Sequence, residues 1–495
     1  MLLKELYNDW FTNKEYWFSQ NTKFDTYLCD KYIVLLSTNS NIIYNKIELI
    51  ALIIAYDQIP RHYCRVYGTL DVNFYSEKAV NLSKQLLKSY NDFTIDELCF
   101  IYLPFRHIYD IKYIYKIITI FIDLYNNSNN LIDKKTCKKY LTNTLEKSYK
   151  IITSKNIETN KKIKSWNDIN RDILDNTKQK YITTNIETII LQQYNKIKTN
   201  ETIAVSLSGG VDSMVALCIL QKYHKNIIAI HINYNNSETS NDELDFINYY
   251  CNYLNVKLLT RTIDEIKRNQ CLNNGLRDLY ENITKKIRFD MYKLSNAKYI
   301  LLGHNKDDCF ENIITNISNK ANYDNLLGMC TLSYIDNISI WRPMLDIKKS
   351  EIIAYANNNN IPYLGDSTPK WSMRGKIRDN LRPVLDNLNI IDSYFSLSNY
   401  LNETNIIIKA IVDSLVSKLE INNIGYRGVY TENEIKMIKM ISISKLFFNK
   451  LNIKVSHKTL KDFANIKNRK FIINKNYMVI INNFYFTIFK MEVGC

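Results

Sequence analysis

The six residues Ser208–Ser213, SGGVDS, gather two glycines, two hydroxyls and a carboxylate between an apolar β-branched run, TIAVSLS, and a helical run, MVALCILQKYH. A strand that turns directly into a helix leaves backbone N–H groups pointing out of the helix N-terminus, and these favour an anion. Gly209 and Gly210 have no Cβ, so the main chain can adopt positive φ and come close to a phosphate. Ser208 and Ser213 add hydroxyl donors on either side of Val211. Asp212 is the odd member, because a carboxylate beside phosphate is repulsive unless a cation lies between them; Mg²⁺ held by Asp212 is the simplest answer. A tight turn with a capping aspartate is the plainer reading of a bare SGGVDS, and the flanking strand and helix favour phosphate instead. The spacing is not that of the G-x-x-x-x-G-K-[ST] loop.

Two further groups follow downstream. GHNKDDCFENIITNI comes after the run YILL and places His304, Asp307, Asp308 and Glu311 at a strand end and in the first turn or so of a helix, with Asp308 and Glu311 sharing a face at i, i+3. Helix capping accounts for one or two of these acids but not for the histidine clustered with them. MRGKIRDNLR brings Arg374, Lys376, Arg378 and Arg382 close together, which suits contact with phosphate or an RNA backbone; a solvated basic helix is the alternative.

The elements that must position these residues read as α/β. From Glu201 onward, short runs (TIAVSLS, NIIAIHIN, VKLLTRTI, AKYILLGHN) alternate with helical stretches, so a doubly wound parallel sheet is expected, with ligands outside the carboxyl ends of its strands. His231 to Asn233 is a third polar strand end. The spacing of apolar residues before about Asn130 is helical, with IELIALIIAYDQIPRHYCRV expected to end near Pro60. Four segments result: a helical domain at 1–130, a helical linker at 131–200, the α/β domain at 201–390, and a C-terminal helical plus β-meander region at 391–495.

Composition sets outer limits. A chain of 495 residues with 46% hydrophobic and 23% charged residues builds several cores rather than staying disordered. The formal net charge of +15 favours a polyanionic partner, and from Ser396 onward 15 Lys and Arg stand against 7 Asp and Glu. Ten dispersed cysteines without a C-x-x-C pair, an N-terminus charged almost at once and the lack of a long apolar run point to a soluble cytoplasmic protein with reduced thiols.

SGGVDS resembles the SGGxDS loop of the PP-loop ATPases, whose fold is adenine nucleotide alpha hydrolase-like. The order SGGVDSM, HIN, ENITKKIRFDMY, GHNKDDCFEN, LLGM, RPML, IPY, RGKIR, from about Thr184 to Leu388, resembles the tRNA(Ile)-lysidine synthases. That resemblance implies a ligase using ATP and Mg²⁺. The C2 oxygen of the wobble cytidine (position 34) in a CAU anticodon is adenylated, pyrophosphate leaves, and the ε-amine of free L-lysine displaces AMP. It further implies that Ser208, Gly209, Gly210, Val211, Asp212 and Ser213 cradle pyrophosphate with Asp212 near Mg²⁺, and that His304 lies by the transferring AMP. Asp308 and Glu311 would hold the amino end of lysine and Arg288 its carboxylate, while Arg374, Lys376, Arg378 and Arg382 face tRNA. The chain departs from the family where YNNS follows HIN in place of H-G-L-R, where GHN stands for GHH, and at Gly375. ALIIAYDQIPRHYCRVYG and CFIYLPFRHIYD resemble the LDQFPRN and YLPFxHSE signatures of an uncharacterised bacterial family with a helical, TPR-like fold. There Arg61, His62, Arg65 and His107 either line a site or form internal ion pairs and caps, and the module is expected to dock a protein partner or support RNA. Two alternatives stand beside ligation: tRNA 2-thiolation, disfavoured by the missing C-x-x-C pair, and a non-catalytic scaffold that binds ATP or RNA.

Overall fold

The computed structural model describes the chain except for residues 18–20, 38–43, 161–164, 176–184, 273–274, 320–327, 366–371, 423–424, 467–469, 483 and 492–495. The motif LLGM therefore lies partly outside the described residues. In chain order the first elements are helices α1 (Leu2–Thr12), α2 (Thr22–Tyr32), α3 (Lys46–Val66), α4 (Val72–Ser89), α5 (Ile95–His107), α6 (Ile111–Asn127) and α7 (Leu131–Asn156). Next come β1 (Ile157–Thr159), α8 (Ile186–Ile197), β2 (Ile203–Ser206), α9 (Val211–Tyr223), β3 (Ile227–Asn233), α10 (Ser240–Tyr253), β4 (Lys257–Thr262), α11 (Arg268–Leu272), α12 (Arg277–Leu294) and β5 (Tyr299–Leu301). They are followed by α13 (Lys306–Ser318), β6 (Leu332–Ile335), β7 (Ile338–Trp341), α14 (Lys349–Asn358), α15 (Met373–Lys376), α16 (Arg382–Asn387) and α17 (Ile391–Ser417). The last are β8 (Leu419–Asn422), β9 (Gly425–Val429), α18 (Glu432–Lys439), α19 (Ile441–Lys450), α20 (His457–Ala464), β10 (Lys470–Asn474), β11 (Tyr477–Asn482) and β12 (Tyr485–Lys490). The chain divides into two compact units, 1–173 with 200–209 and 224–300, and 174–199 with 210–223 and 301–495.

In the first unit, α1–α7 pack around buried Trp10, Tyr32, Phe100, Phe121 and Tyr140. Capping boxes start α3 at Asn45 with Glu48 and α5 at Thr94 with Glu97. Contrary to the sequence expectation, α3 does not stop near Pro60 but runs on to Val66. Pro60 cannot donate to the carbonyl one turn back. The turns beyond it are secured by charge: Asp25 of α2 receives Arg65 Nε at 2.8 Å and lies 2.6 Å from His62 Nδ1. The segment 131–200 opens with α7, whose Cys137, Tyr140, Leu141 and Leu145 are buried in the helical core, so this part of the expected linker belongs to the helical module.

That module continues into the α/β region of the same unit. β1 pairs antiparallel with β4, Ile157 opposite Arg261, and Asn160 extends the ladder by accepting from Leu258 N at 2.8 Å. Ile263, Ile266, Leu279, Ile283 and Ile287 share one core with the helices, the Lys286 ammonium lies 4.1 Å from the centre of the Tyr149 ring, and Lys138 Nζ is 2.8 Å from Asp278. The strand order here is β1-β4-β3-β2-β5, with β2–β3 and β3–β4 parallel, so the mostly parallel sheet expected from alternating runs and helices is present. Its central residues Ile203, Ala204, Val205, Ala229 and Ile230 are buried, as a sheet covered on both faces requires.

The second unit contains α9, the β6–β7 hairpin and the helices that follow. Its C-terminal part forms an antiparallel sheet in the order β10-β11-β12-β9-β8 against α17–α20, with Phe447, Phe463 and Phe486 in the core. The expected meander is β10–β12. The β8–β9 hairpin was hidden in a stretch that reads as helix, because its alternation covers only a few residues on either side of a turn.

Burial with the Arg65 charge holds the His62 imidazole below its ordinary value, and burial together with Arg61 and Arg106 does the same to His107. The unfolded chain takes up these protons near pH 6.5 while the folded module resists them, so stability is complete above that pH and falls as pH drops through it. The unfolding free energy from urea melts followed by far-ultraviolet circular dichroism is expected to be lower at pH 5.5 than at pH 7.5, by up to about 1.4 kcal/mol for each imidazole per pH unit below its unfolded value. His62→Gln should shrink that difference; an unchanged pH dependence would contradict the assignment.

Candidate active site

The turn after β2 is built as its composition requires. Gly209 has φ 84°, a left-handed conformation that a side chain would strain, and α9 starts two residues later. Ser208 is exposed, Val211 is buried, and Ser213 Oγ donates to Gly210 O at 2.9 Å, closing the first turn of α9. Ser208 and Gly209 belong to the first unit, Gly210 to Ser213 to the second.

Within the second unit, the end of β5 runs directly against this helix start. A Cβ built on Gly303 would meet Ser213 N at 3.0 Å and the Asp212 carbonyl carbon at 3.1 Å, so only glycine lets the two backbones approach this closely. Leu302 N donates to Trp341 O at 2.9 Å and Lys306 N to Ile347 O at 2.9 Å, which ties the GHN segment to the RPML segment. His304 and Asn305 are thereby held beside α9.

Asn305 is the N-cap of α13. Its Oδ1 accepts from Asp307 N at 2.9 Å and Asp308 N at 3.0 Å, while Asp308 Oδ2 accepts from Asn305 N at 3.1 Å. Its remaining amide donates to Asp212 Oδ1 at 3.0 Å. Asparagine in place of the second histidine of GHH thus joins the acid of the turn to the helix carrying the other acids. Lys349 Nζ, at the start of α14, lies 2.5 Å from Asp212 Oδ2, and Lys349 N donates to Asp307 Oδ2 at 2.6 Å. Burial pushes the Asp212 carboxyl up, Asp308 adds to this, and Lys349 with Asn305 pulls it only part of the way back.

On α13, Asp307 and Glu311 stand one turn apart and meet arginines likewise one turn apart. Arg382 pairs with Asp307, and Arg378 Nε donates to Glu311 Oε1 at 2.9 Å. Phe310, Ile377 and Leu385 form the apolar cluster between these helices, and a π-turn at Ile377–Leu381 sets the register. Glu311 is 1% exposed, and its Oε2 has no hydrogen-bond partner among the described residues. Burial pushes its carboxyl up, Arg378 pulls it down, and the net position is above the ordinary value.

Arg342 of RPML donates from Nε to His304 Nδ1 at 3.2 Å and from NH1 to Cys330 O and Ser333 Oγ. A guanidinium can only donate, so in the neutral ring Nε2 carries the proton and His304 offers a donor. Among the expected site residues, Asp212, His304, Asp308 and Glu311 thus fall in one neighbourhood of the second unit. Arg288 stands half-buried beside Phe289 on α12 of the first unit. Arg374 and Lys376 are exposed, whereas Arg378 and Arg382, expected on RNA, are engaged with carboxylates. Of the third strand end, His231 is buried with Nδ1 2.9 Å from Leu207 O, and Asn233 caps the turn at Asn235. Lys349, Asn305 and Arg342 were not singled out from sequence. Lys349 opens a helix that reads as packing, and only its place just after RPML hinted at the site.

Residues 182–385 match the model of a PP-loop domain, and residues 6–159 match that of a bacterial protein of unknown function, DUF924. The tRNA(Ile)-lysidine synthase of Mycoplasma mycoides subsp. mycoides SC is 28% identical over 303 residues, covering 57% of this chain and 70% of the relative. That of Mesoplasma florum is 31% identical over 300 residues, covering 58% of this chain and 68% of the relative. The chain belongs to the tRNA(Ile)-lysidine synthase family. A further member, from Mycoplasma genitalium, is 34% identical over 173 residues, which is 33% of this chain and 54% of that protein. Membership makes the chain an ATP-dependent ligase with an ATP-binding PP-loop domain. Among the described residues no helix is long and apolar enough to cross a membrane.

Removing the Lys349 ammonium leaves the Asp212 carboxylate desolvated beside Asp308, so its carboxyl rises further. Lys349→Ala is expected to lower pyrophosphate release roughly 10- to 100-fold and to move the acid limb of the pH–rate profile to higher pH, with Lys349→Arg retaining most of the limb. An unmoved limb would show that Lys349 does not act on Asp212.

Proposed function

We propose that the chain adenylates C2–O of the wobble cytidine, position 34, of a CAU-anticodon tRNA and joins free L-lysine to that carbon, giving lysidine, AMP and pyrophosphate. The observation that carries the lysine assignment is Glu311 Oε2, a carboxylate oxygen taken out of water without a hydrogen-bond partner among the described residues. Such an atom is costly unless a donor arrives, and an ammonium supplies it. Asp308, half-buried one turn away, offers a second carboxylate to the same cation. Arg378 fixes Glu311 through its other oxygen and so acts as a positioning residue.

The remaining groups suit the first half-reaction. Main-chain N–H groups at the start of α9 receive the pyrophosphate leaving group, helped by the Ser208 hydroxyl, while the Ser213 hydroxyl closes the turn on Gly210 O. Lys349 sits at the same helix end, where its ammonium offsets charge that builds on phosphate oxygens. His304, with its proton on Nε2, donates to the phosphoryl group being transferred, and Arg342 keeps that tautomer. Asp212 and Asp308 are hard oxygen donors of the kind that hold Mg²⁺ together with phosphates and water, and a bound Mg²⁺ would neutralise phosphate charge there. The exposed Arg374 and Lys376, with the basic C-terminal region, face tRNA. Arg288 binds the lysine carboxylate.

The test incubates the protein with ATP, Mg²⁺, labelled lysine and tRNA bearing a CAU anticodon. Label in RNA supports the reading, pyrophosphate exchange without lysine transfer points to another ligase, and neither points to a scaffold. Asp212→Asn is expected to abolish pyrophosphate release with tRNA binding largely intact. Glu311→Gln should raise the KM for lysine roughly 10- to 100-fold with a much smaller effect on the KM for ATP. Because the Glu311 carboxyl stands above its ordinary value, the wild-type KM for lysine should also rise as pH falls, and a KM independent of pH in Glu311→Gln completes the assignment.

A further inference from the structure

The helical module holds two buried polar clusters that ligation does not use. In the first, Asp25 is answered by Arg65 and His62, and the charges balance. The second is unbalanced. Asp57, 1% exposed, lies 2.8 Å from His107 Nδ1 and 3.6 Å from Arg61 NH2. Next to His107 on α5, Arg106 is 3% exposed and has no ion pair among the described residues. Its NH1 donates to Thr144 Oγ1 at 3.3 Å, and its guanidinium lies 5.3 Å from the centre of the Tyr140 ring. Lys147 follows Thr144 by one turn on α7 and is exposed.

Several donors in this cluster are buried and unpartnered among the described residues: Arg61 Nε, Arg106 Nε, the Tyr140 hydroxyl and Ser148 Oγ. Arg61 NH2 reaches Ser76 Oγ at 2.8 Å. Of the two buried or half-buried guanidiniums, only that of Arg61 has a carboxylate beside it among the described residues, and that carboxylate is Asp57. Lys147 stands one turn beyond Thr144, the residue that Arg106 reaches, and partial desolvation of its stem together with the charges of Arg106 and Arg61 lowers its ammonium from the ordinary value. Burying unpaired guanidinium is expensive, and a buried fork with its Nε edge free is the geometry that recognises an oxyanion.

We propose that Arg61, Arg106 and Lys147 form an anion site in the helical module that takes a phosphoryl group, either as the free ion or on a small phosphomonoester. Arg106 and Tyr140 are buried, whereas Arg61 and His107 are partly exposed and Lys147 is exposed, so an anion would reach the buried guanidinium from the side of these three. Asp57 orients Arg61 and His107 and leaves the net charge positive.

Because the PP-loop turn also attracts phosphate, the readout must be local. The chain contains six histidines, and selective ¹³C labelling of their rings in the full-length protein gives a small set of resonances, among which His107 is assigned as the one lost in His107→Gln. Inorganic phosphate, glycerol phosphate and acetate are titrated at constant ionic strength. A saturable shift of the His107 resonance with phosphate or with glycerol phosphate supports the site and tells the free ion from the ester. In Lys147→Ala, an exposed substitution, the half-saturation concentration is expected to rise at least tenfold with the thermal melt unchanged. No saturable shift, a shift seen only at His304, an equal shift with acetate, or an unchanged half-saturation in Lys147→Ala would each overturn the proposal.

Discussion

A carboxylate withdrawn from water at the start of α9 has to be held by something, and the second unit is arranged around what holds Asp212. One oxygen takes the Asn305 amide and the other the Lys349 ammonium. Each of these partners is itself a helix start, Asn305 capping α13 and Lys349 opening α14. The backbone N–H of Lys349 then binds Asp307, and Asp307 binds Arg382 at the start of α16. A single run of charge-assisted bonds therefore joins four helix beginnings, and such bonds are shorter and stronger than neutral ones.

The same run separates two roles that adjacent aspartates could have shared. Asp307 is used up as a brace, while Asp308 spends one oxygen on the capping box and keeps the other side available. The i, i+4 spacing on α13 is matched by Arg378 and Arg382, so the basic segment lies along the acidic helix with an apolar seam between them. Two of its four cations are consumed in this way. Arg374 and Lys376 remain outward, which narrows the part of the segment that can touch a nucleic acid.

The parallel sheet, the phosphate turn and the acids of α13 were legible because each is written in contiguous residues: a β-branched run, a pair of glycines, an i, i+3 pair. What stayed hidden joins residues far apart in the chain. Nothing local marks Lys349 as the counterion of a residue 137 positions earlier, or Arg342 as the group that sets the His304 tautomer. Arg378 and Arg382 read as free cations because their acid partners lie on another helix. Pro60 read as a helix end because local rules count the lost hydrogen bond, whereas the Arg65–Asp25 ion pair and the His62–Asp25 hydrogen bond beyond it depend on α2. The β8–β9 hairpin fell below what alternation can reveal in so few residues.

The added strand β1 also makes the fusion indivisible. With Ile283 and Ile287 of α12 sealed by α7 and its neighbours, cutting the chain after Asn160 would bare a seam worth about 1.5–3 kcal/mol for each large aliphatic side chain. The end of the segment that matches DUF924, at residue 159, therefore lies against a shared core and not at an exposed joint. Arg288 is carried on that same α12, one residue beyond Ile287. The bundle is in effect a buttress for the helix that carries it.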